Sequence, residues 1–189
     1  MDINISYKDF GFYNIDLAYL KYLHHIDSEV RYSEEKAYNR KPFLGILVII
    51  NSYNYFIPLT SSKPKHLRWK IIGKDYFLIY ETIQPEERRP SDIIRAHDSK
   101  LLKLLAVLDV KKMIPVPDGL HSQINFAQVQ DINYQGLLWK EFRSCQRIKK
   151  RVLETAETIY REQKETGTVY PMFCNFTALE KACDAYTRS

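Results

Sequence analysis

Short apolar runs fill the first two thirds of the chain and indicate a sheet built from hairpins. Residues 43–50 form an apolar, β-branched run, a two-residue polar turn follows, and residues 53–59 are again mostly apolar. So short a link requires antiparallel pairing, because a parallel crossover needs many more residues. The pattern therefore predicts a β-hairpin. By the same criteria, strands are predicted at residues 12–15, 75–81, 104–110 and, as a short edge strand, 113–116.

The last third of the chain changes to helical periodicity. Apolar side chains recur at three- and four-residue steps over residues 134–164, and Gly167 follows as a stop signal. A helix of this length is expected to bend or break once. A last short helix is predicted over residues 177–186, with Asn175 or Thr177 as its cap.

Two further segments complete the prediction. Residues 17–25 carry a helical stripe of leucines, and Asp16 stands where its carboxylate can accept N–H groups of the first turn. Residues 84–100 are polar, with two prolines near their start, which predicts a loop followed by one or two helical turns. Strands precede helices and hairpin links dominate, so the expected class is α+β with a mostly antiparallel sheet, in a single domain over residues 1–189.

Composition argues against membrane, secreted and metal-binding proteins. The longest apolar run, residues 43–50, is far shorter than the ~18–20 residues that a membrane span needs, and no secretory signal opens the chain. Cys145, Cys174 and Cys183 are odd in number and lack metal-ligand spacing, so we expect three buried thiols. These features predict a cytoplasmic protein without a cofactor.

Charge is distributed unevenly along the chain. Residues 36–74 contain eight Lys or Arg residues and no acid, whereas the other 20 of the 28 Lys and Arg residues share the remaining sequence with all 23 acids. A solvated face usually mixes both signs, so a segment of one sign indicates a surface for a polyanion. A chance run on a basic protein is the alternative.

The densest chemistry lies in residues 58–70, within this basic segment. Three hydroxyls, several cations, the His66 imidazole and the Trp69 indole follow one another there. One interpretation is a phosphate-binding loop without catalysis. The other is RNA cleavage, in which the 2′-hydroxyl attacks the neighbouring phosphate and Thr60, Ser61, Lys63 and His66 supply proton transfer and charge stabilisation without a metal.

Other chemistries fit these residues less well. The loop has no carboxylate cluster that could hold Mg²⁺. Residues 60–63 can also be compared with the Ser-x-x-Lys motif of penicillin-binding acyl enzymes, but the partner motifs of those enzymes are missing from the sequence. Pro64 also argues against the helix that this motif should begin.

Five segments resemble, in order, the ToxN/AbiQ (CptN-like) family of type III toxin–antitoxin endoribonucleases. The most specific is Pro-Leu-Thr-Ser-Ser-Lys at residues 58–63; the segments are residues 12–23, 41–46, 55–63, 112–116 and 174–180. The resemblance implies a twisted antiparallel sheet flanked by helices, as in Kid/MazF-type interferases. It also implies cleavage of cellular messenger RNA at adenine-rich sites, leaving a 2′,3′-cyclic phosphate and a 5′-hydroxyl. The implied partner is a structured, repetitive antitoxin RNA that the toxin processes and that closes a protein–RNA ring in phage defence by abortive infection. DNA and membranes are not implied partners.

The resemblance also suggests roles for individual residues. Thr60 or Ser61 would hold the scissile phosphate, and Lys63 would stabilise its developing charge or relay a proton, while Tyr19 and Lys41 would position the RNA backbone. Residues expected to contact RNA around them are Tyr38, Arg40, Lys65, His66, Arg68, Trp69 and Lys70.

A second cationic group lies on the long predicted helix. Arg143, Arg147 and Lys150 form either a further RNA surface or an ordinary solvated face. Two alternatives to the toxin hypothesis stay open from sequence alone: a non-catalytic RNA-binding protein, and a MazF-type interferase with a protein antitoxin. The residue that acts as general base is not identified.

Overall fold

A computed structural model describes residues 5–33, 42–50 and 52–187 of the chain. Eight strands and three helices follow one another over these residues. The strands are β1 (Ile5–Ile15), β2 (Phe43–Ile50), β3 (Tyr53–Ser61), β4 (Tyr76–Ile83), β5 (Ile94–His97), β6 (Lys100–Asp109), β7 (Ile114–Pro115) and β8 (His121–Gln123). The helices are α1 (Leu17–Ile26), α2 (Ile132–Thr166) and α3 (Phe176–Thr187).

The strands form a sheet in which the described pairs are antiparallel. Its order is β4-β6-β3-β2-β1-β8, with β5 paired to β6 and β7 paired to β3. The predicted hairpin is β2–β3, where Ser52 has a φ of 77°, a left-handed backbone that tight hairpin turns use. The α+β class with a mostly antiparallel sheet and a long C-terminal helix is therefore confirmed.

Side-chain caps set the helix boundaries close to those predicted. The Asp16 carboxylate accepts the Tyr19 N–H at 2.8 Å at the start of α1, and the Asn175 side chain accepts the Ala178 N–H at 3.0 Å at the start of α3. Helix α2 ends at Gly167, whose φ of 68° is the left-handed C-cap conformation. Helix α2 runs without interruption over 35 residues, so the break, one of the two expected alternatives of a bend or a break, is absent.

A buried polar network joins α2 and α3 to the sheet. The Glu180 carboxylate on α3 accepts the Tyr55 hydroxyl of β3 and the Tyr160 hydroxyl of α2, both at 2.7 Å, and also pairs with Lys164 of α2. These polar groups are satisfied inside an otherwise apolar core. The three cysteines are buried and free, as predicted.

The structure corrects three predicted elements. Residues 84–100 were predicted as a loop followed by one or two helical turns. Instead, a 3₁₀ turn at Pro85–Glu87 comes first, and the segment then forms strand β5, which pairs with β6. Strand β1 extends back to Ile5, well before the predicted residues 12–15. Strand β8 was not predicted, because three polar or short residues carry no hydrophobic alternation.

Candidate functional site

The Thr60–Lys63 stretch continues from the end of β3 and is held by β6. Thr60 and Ser61 pair with Val107 and Ala106 of that strand. Ser62 extends the pairing, because its backbone N–H donates to the Leu105 carbonyl at 3.3 Å and its hydroxyl donates to the Leu104 carbonyl at 2.8 Å. The Ser62 hydroxyl is thus occupied in holding the chain, unlike the other two hydroxyls of the motif.

Lys63 keeps an extended backbone, with φ −135° and ψ 158°, beyond the paired Ser62, so strand alternation is expected to place Ser61 and Lys63 on the same side of the chain. Side chains two residues apart on a strand share a face, about 7 Å apart at Cα, whereas Thr60 points to the opposite face. Ser61 and Lys63 are exposed and Thr60 is half-buried. Among the described residues, neither the two hydroxyls of Thr60 and Ser61 nor the Lys63 ammonium has a hydrogen-bond or ion-pair partner. The arrangement leaves one hydroxyl and one ammonium together, available to an external anion.

His66 fixes the backbone of Lys63. A 3₁₀ turn at Pro64–Arg68 follows, in which the His66 N–H donates to the Lys63 carbonyl and the Lys63 N–H donates to His66 Nδ1, both at 2.9 Å. A backbone N–H can only donate, so Nδ1 must be unprotonated and the neutral ring carries its proton on Nε2. Burial, and then the Lys65 and Lys63 charges, lower the pKa of His66 below its usual 6.5, so this tautomer prevails at neutral pH.

Trp69 ends the turn, and its half-buried ring packs against neighbouring aromatic rings. Its ring centroid is 4.6 Å from that of His66 and 4.5 Å from that of Tyr76, and the Lys65 ammonium lies 5.8 Å from the indole centroid. The Arg95 guanidinium on β5 donates to the Trp69 carbonyl at 2.6 Å. The turn is therefore held at both ends, by β6 before it and by β5 after it.

Arg95 was missed by sequence reasoning because residues 84–100 were predicted to contain no strand. The signal in the sequence was Asp98, because Asp is among the residues that favour the left-handed backbone of a two-residue hairpin turn. In the structure, Asp98 and Ser99 form such a turn, with φ of 46° and 60°. Polar residues flank this turn, so the usual apolar alternation was lacking.

The cations of the turn lack internal counterions. Lys63, Lys65, Arg68 and Lys70 are exposed and, among the described residues, pair with no carboxylate. The carboxylates of Asp75 and Asp109 are by contrast paired with cations, because Lys111 contacts both at 2.9 Å and Arg31 contacts Asp109 at 3.2 Å. The surface of the turn therefore carries uncompensated positive charge.

The predicted role of Tyr19 in contacting RNA does not agree with its position. Its side chain is fully buried and its hydroxyl donates to the Pro115 carbonyl at 2.8 Å. Burial raises the pKa of this hydroxyl above its ordinary range, and the ring packs 5.0 Å from that of Tyr186. A phenol without exposed surface cannot touch a phosphate, so this prediction is corrected: Tyr19 joins α1 to β7 and α3 in the core.

Three other predicted residues, Tyr38, Arg40 and Lys41, lie outside the described residues. On α2, the side chains of Arg143, Arg147 and Lys150 are exposed, and only Lys150 has a carboxylate nearby, Glu154 at 3.9 Å. The structure thus brings Ser61, Lys63 and the cations of the turn together, and places the α2 cluster on a separate element.

The described residues contain neither a metal-binding cluster nor a membrane-spanning helix. No group of three or more His, Cys, Asp or Glu side chains is arranged to hold a metal ion in the part of the chain that the structure describes. None of the helices described there combines the length and apolar character needed to cross a bilayer.

Comparison with known proteins gives one family. The model for the toxin ToxN of type III toxin–antitoxin systems matches residues 11–184. The endoribonuclease ToxN of Bacillus thuringiensis subsp. kurstaki is 27% identical over 184 residues, which cover 93% of this chain and 83% of that protein. The endoribonuclease AbiQ of Lactococcus lactis subsp. lactis is 22% identical over 94% of this chain and 89% of that protein.

Solved structures share the fold. A structure from work on selective toxin inhibition by a non-coding RNA pseudoknot has a TM-score of 0.71 at 24% identity, over 96% of this chain and 100% of that chain. Another, from a bacterial antiviral system regulated by a processed non-coding RNA, has a TM-score of 0.69 at 25% identity, over 90% of this chain and 95% of that chain. The family resemblance predicted from the sequence is confirmed.

Proposed function

Because the chain belongs to the ToxN family of type III toxin–antitoxin toxins, we propose that it is an endoribonuclease toxin held inactive by its own structured antitoxin RNA. Relatives in this family are named endoribonucleases. The observation that carries the proposal here is the pair Ser61 and Lys63, exposed on one side of a chain segment that is fixed before and after them. Fixed, unpartnered donors are what stabilisation of a transition state needs.

The proposed reaction is transesterification within the RNA. The substrate 2′-hydroxyl loses its proton and attacks the adjacent phosphorus, the bond to the 5′-oxygen breaks, and that oxygen takes up a proton. The products are a 2′,3′-cyclic phosphate and a 5′-hydroxyl. Ser61 donates to a non-bridging phosphate oxygen, and Lys63 neutralises the charge that grows on the phosphate or protonates the leaving oxygen. Thr60, on the opposite face, then acts by packing or by a contact with a neighbouring nucleotide.

This chemistry uses cations where a metal-dependent nuclease uses carboxylates. Lys65, Arg68 and Lys70 surround Lys63 on the exposed turn. Their charge attracts the RNA backbone and lowers the cost of the phosphorane dianion, which is the task a metal ion performs in two-metal nucleases. We accordingly propose a metal-independent enzyme.

The partner and the substrate are both RNA. One solved relative concerns inhibition by an RNA pseudoknot and another a processed non-coding RNA. We propose that a repetitive antitoxin RNA is cut by this toxin, then lies across the turn and the Arg143–Lys150 face, and that toxins and RNAs alternate in a closed ring. Free toxin cleaves cellular messenger RNA at adenine-rich sites in the cytoplasm and arrests phage-infected cells.

The test is cleavage by protein stripped of nucleic acid, in EDTA, of a single-stranded adenine-rich RNA whose product ends are identified. We expect 2′,3′-cyclic phosphate ends. Lys63→Ala should lower the single-turnover rate at least about a hundredfold, because one donor to a transition state is worth roughly 3 kcal/mol. The matched control is Lys181→Ala, an exposed lysine of α3, which should cleave at the normal rate.

Three results would contradict parts of the proposal. Tight RNA binding without cleavage by the wild-type protein would make the turn a phosphate clamp and the chain a binding module. Cleavage that EDTA abolishes and Mg²⁺ restores would remove the metal-independent mechanism. A polypeptide, rather than an RNA, that copurifies from the native host and blocks cleavage would favour a MazF-type regulation.

A further inference from the structure

An aromatic cavity of about 400 Å³ lies between β1, the end of β8 with the segment after it, and helix α2, which are not the elements that hold the turn. From the chemistry of this cavity we infer that it is a second RNA contact, which takes one unpaired nucleobase while Arg143 and Arg147 hold the adjoining phosphates. The inference rests on the proposed function, because the nucleobase belongs to the same RNA partner. The lining residues on which the inference depends are Gly11, Gln123, Asn125, Phe126, Trp139 and Phe142.

The walls of the cavity suit a flat ring. Trp139 stands edge-on to Phe126, with ring centroids 4.9 Å apart and an interplanar angle of 86°, and Phe142 stands edge-on to Phe126 at 5.6 Å. These rings brace one another, yet 44% of Trp139 is exposed, so part of this residue is accessible to a ligand. The volume lies within the range of about 300–1,000 Å³ that is typical of small-ligand pockets. Bases of unpaired RNA stack on aromatic side chains of this kind.

The rim carries the hydrogen-bonding groups that a base edge needs. The Asn125 side-chain oxygen accepts the Ala127 N–H at 3.1 Å, which fixes the amide and leaves its NH₂ without a partner among the described residues. The Gln123 carboxamide lies over Gly11, so close that a Cβ at that glycine would be 2.7 Å from Gln123 Nε2. Gln123 too has no side-chain partner in the described part of the chain. Donors and acceptors paired in this way favour a nucleobase over an apolar side chain of a protein.

Charge next to the cavity favours the same ligand. Arg143 is one helical turn beyond Trp139 and therefore adjacent to it on the face of α2, and Arg147 is one turn further. Both are exposed, and neither pairs with a carboxylate of the described residues. A base pocket followed by unpaired guanidiniums along one helix matches the repeat of base and phosphate in a single RNA strand. An RNA that reaches both this cavity and the turn would span two separate elements of the toxin.

The two tryptophans allow a direct test, since the chain contains only Trp69 and Trp139. In a Trp69→Phe protein, the fluorescence of Trp139 should be quenched saturably by a 2′-O-methyl oligoadenylate, which lacks the attacking hydroxyl and cannot be cut. In the otherwise unaltered protein, Trp139→Ala should weaken binding of that oligomer about 5- to 150-fold, because stacking is worth ~1–3 kcal/mol per base. Trp139→Phe should lose much less.

The matched control is Ile132→Ala on the same helix, which removes a side chain that is 72% exposed and does not line the cavity. It should bind as the wild type does, and every variant should be folded at the assay temperature, although Trp139→Ala loses ring contacts with Phe126 and Phe142 and should melt lower. The inference is overturned if Trp139→Ala binds normally, or if it changes self-association without RNA, since the cavity would then receive a second copy of the chain. Failure of the proposed function is distinguishable, because it would appear as absent cleavage by the wild type.

Discussion

His66 provides the sharpest test of how the turn is held, because asparagine and glutamine separate the two ring nitrogens. In the wild-type protein, the Lys63 N–H donates to His66 Nδ1 at 2.9 Å. The side-chain oxygen of asparagine is the same number of bonds from Cβ as Nδ1, so His66→Asn retains an acceptor for that N–H. Glutamine places its polar group near the position of Nε2 and leaves that N–H without its partner. Both substitutions remove the ring contact with Trp69, so their difference isolates one hydrogen bond.

The expected magnitude follows from that bond. A hydrogen bond contributes a net ~0.5–1.5 kcal/mol, and a partly buried donor left unpaired costs about 1–3 kcal/mol. If the bond orders Lys63 for reaction, losing ~1 kcal/mol reduces the ordered population about fivefold. His66→Gln should therefore cleave roughly 5–10 times more slowly than His66→Asn in single-turnover assays at saturating RNA. Its free energy of unfolding in urea should also be lower by about 1 kcal/mol or more.

Acid provides a second readout of the same contact. Since the pKa of His66 is lowered in the folded protein, the unfolded chain binds the proton first as pH falls below 6.5. The stabilisation is complete above pH 6.5 and declines as pH falls through the window below that value. His66→Asn should remove this part of the pH dependence. Equal rates for the Asn and Gln variants would refute the positioning role, and a loss in His66→Asn as deep as in Lys63→Ala would mean that Nε2 takes part in the chemistry.

Three further predictions concern the supports of the site and the core. Arg95→Ala should slow cleavage several-fold, with partial recovery in Arg95→Lys and little change in the melt, because it removes the 2.6 Å contact with the Trp69 carbonyl; an unchanged rate would show that β5 does not position the turn. Glu180→Ala should cost about 3 kcal/mol in urea unfolding, because it leaves the buried Tyr55 and Tyr160 hydroxyls without their acceptor and removes the carboxylate partner of the partly buried Lys164, whereas Glu180→Gln should cost less; equal costs would contradict this account. Burial raises the pKa of Glu141 to about 8, so the folded protein binds the extra proton and loses stability as pH rises from 4.5 to 8. Glu141→Gln should therefore be more stable than the wild type at pH 8 and similar at pH 4.5; parallel pH profiles for the two proteins would exclude this.

Local chemistry was enough to predict the elements with strong periodicity or a specific cap. The β2–β3 hairpin, the Asp16 cap of α1 and the Gly167 end of α2 depend on residues within a few positions of one another. The one-sign charge segment and the Thr-Ser-Ser-Lys motif also stand in one stretch of chain. For this reason the fold class, the family resemblance and the location of the candidate site were predictable from the sequence.

Only the tertiary structure decided which side chains are available at the site. Tyr19 and Ser62 resemble functional residues in sequence, but one is buried against Pro115 and the other is bonded to Leu104. Arg95 reaches the turn only because β5 pairs with β6. The cavity beside Trp139 likewise exists only where α2 crosses β1. Hydrophobic pattern reports which face of an element is buried, but not which distant element covers it; contacts between residues far apart in the chain form when those elements pack.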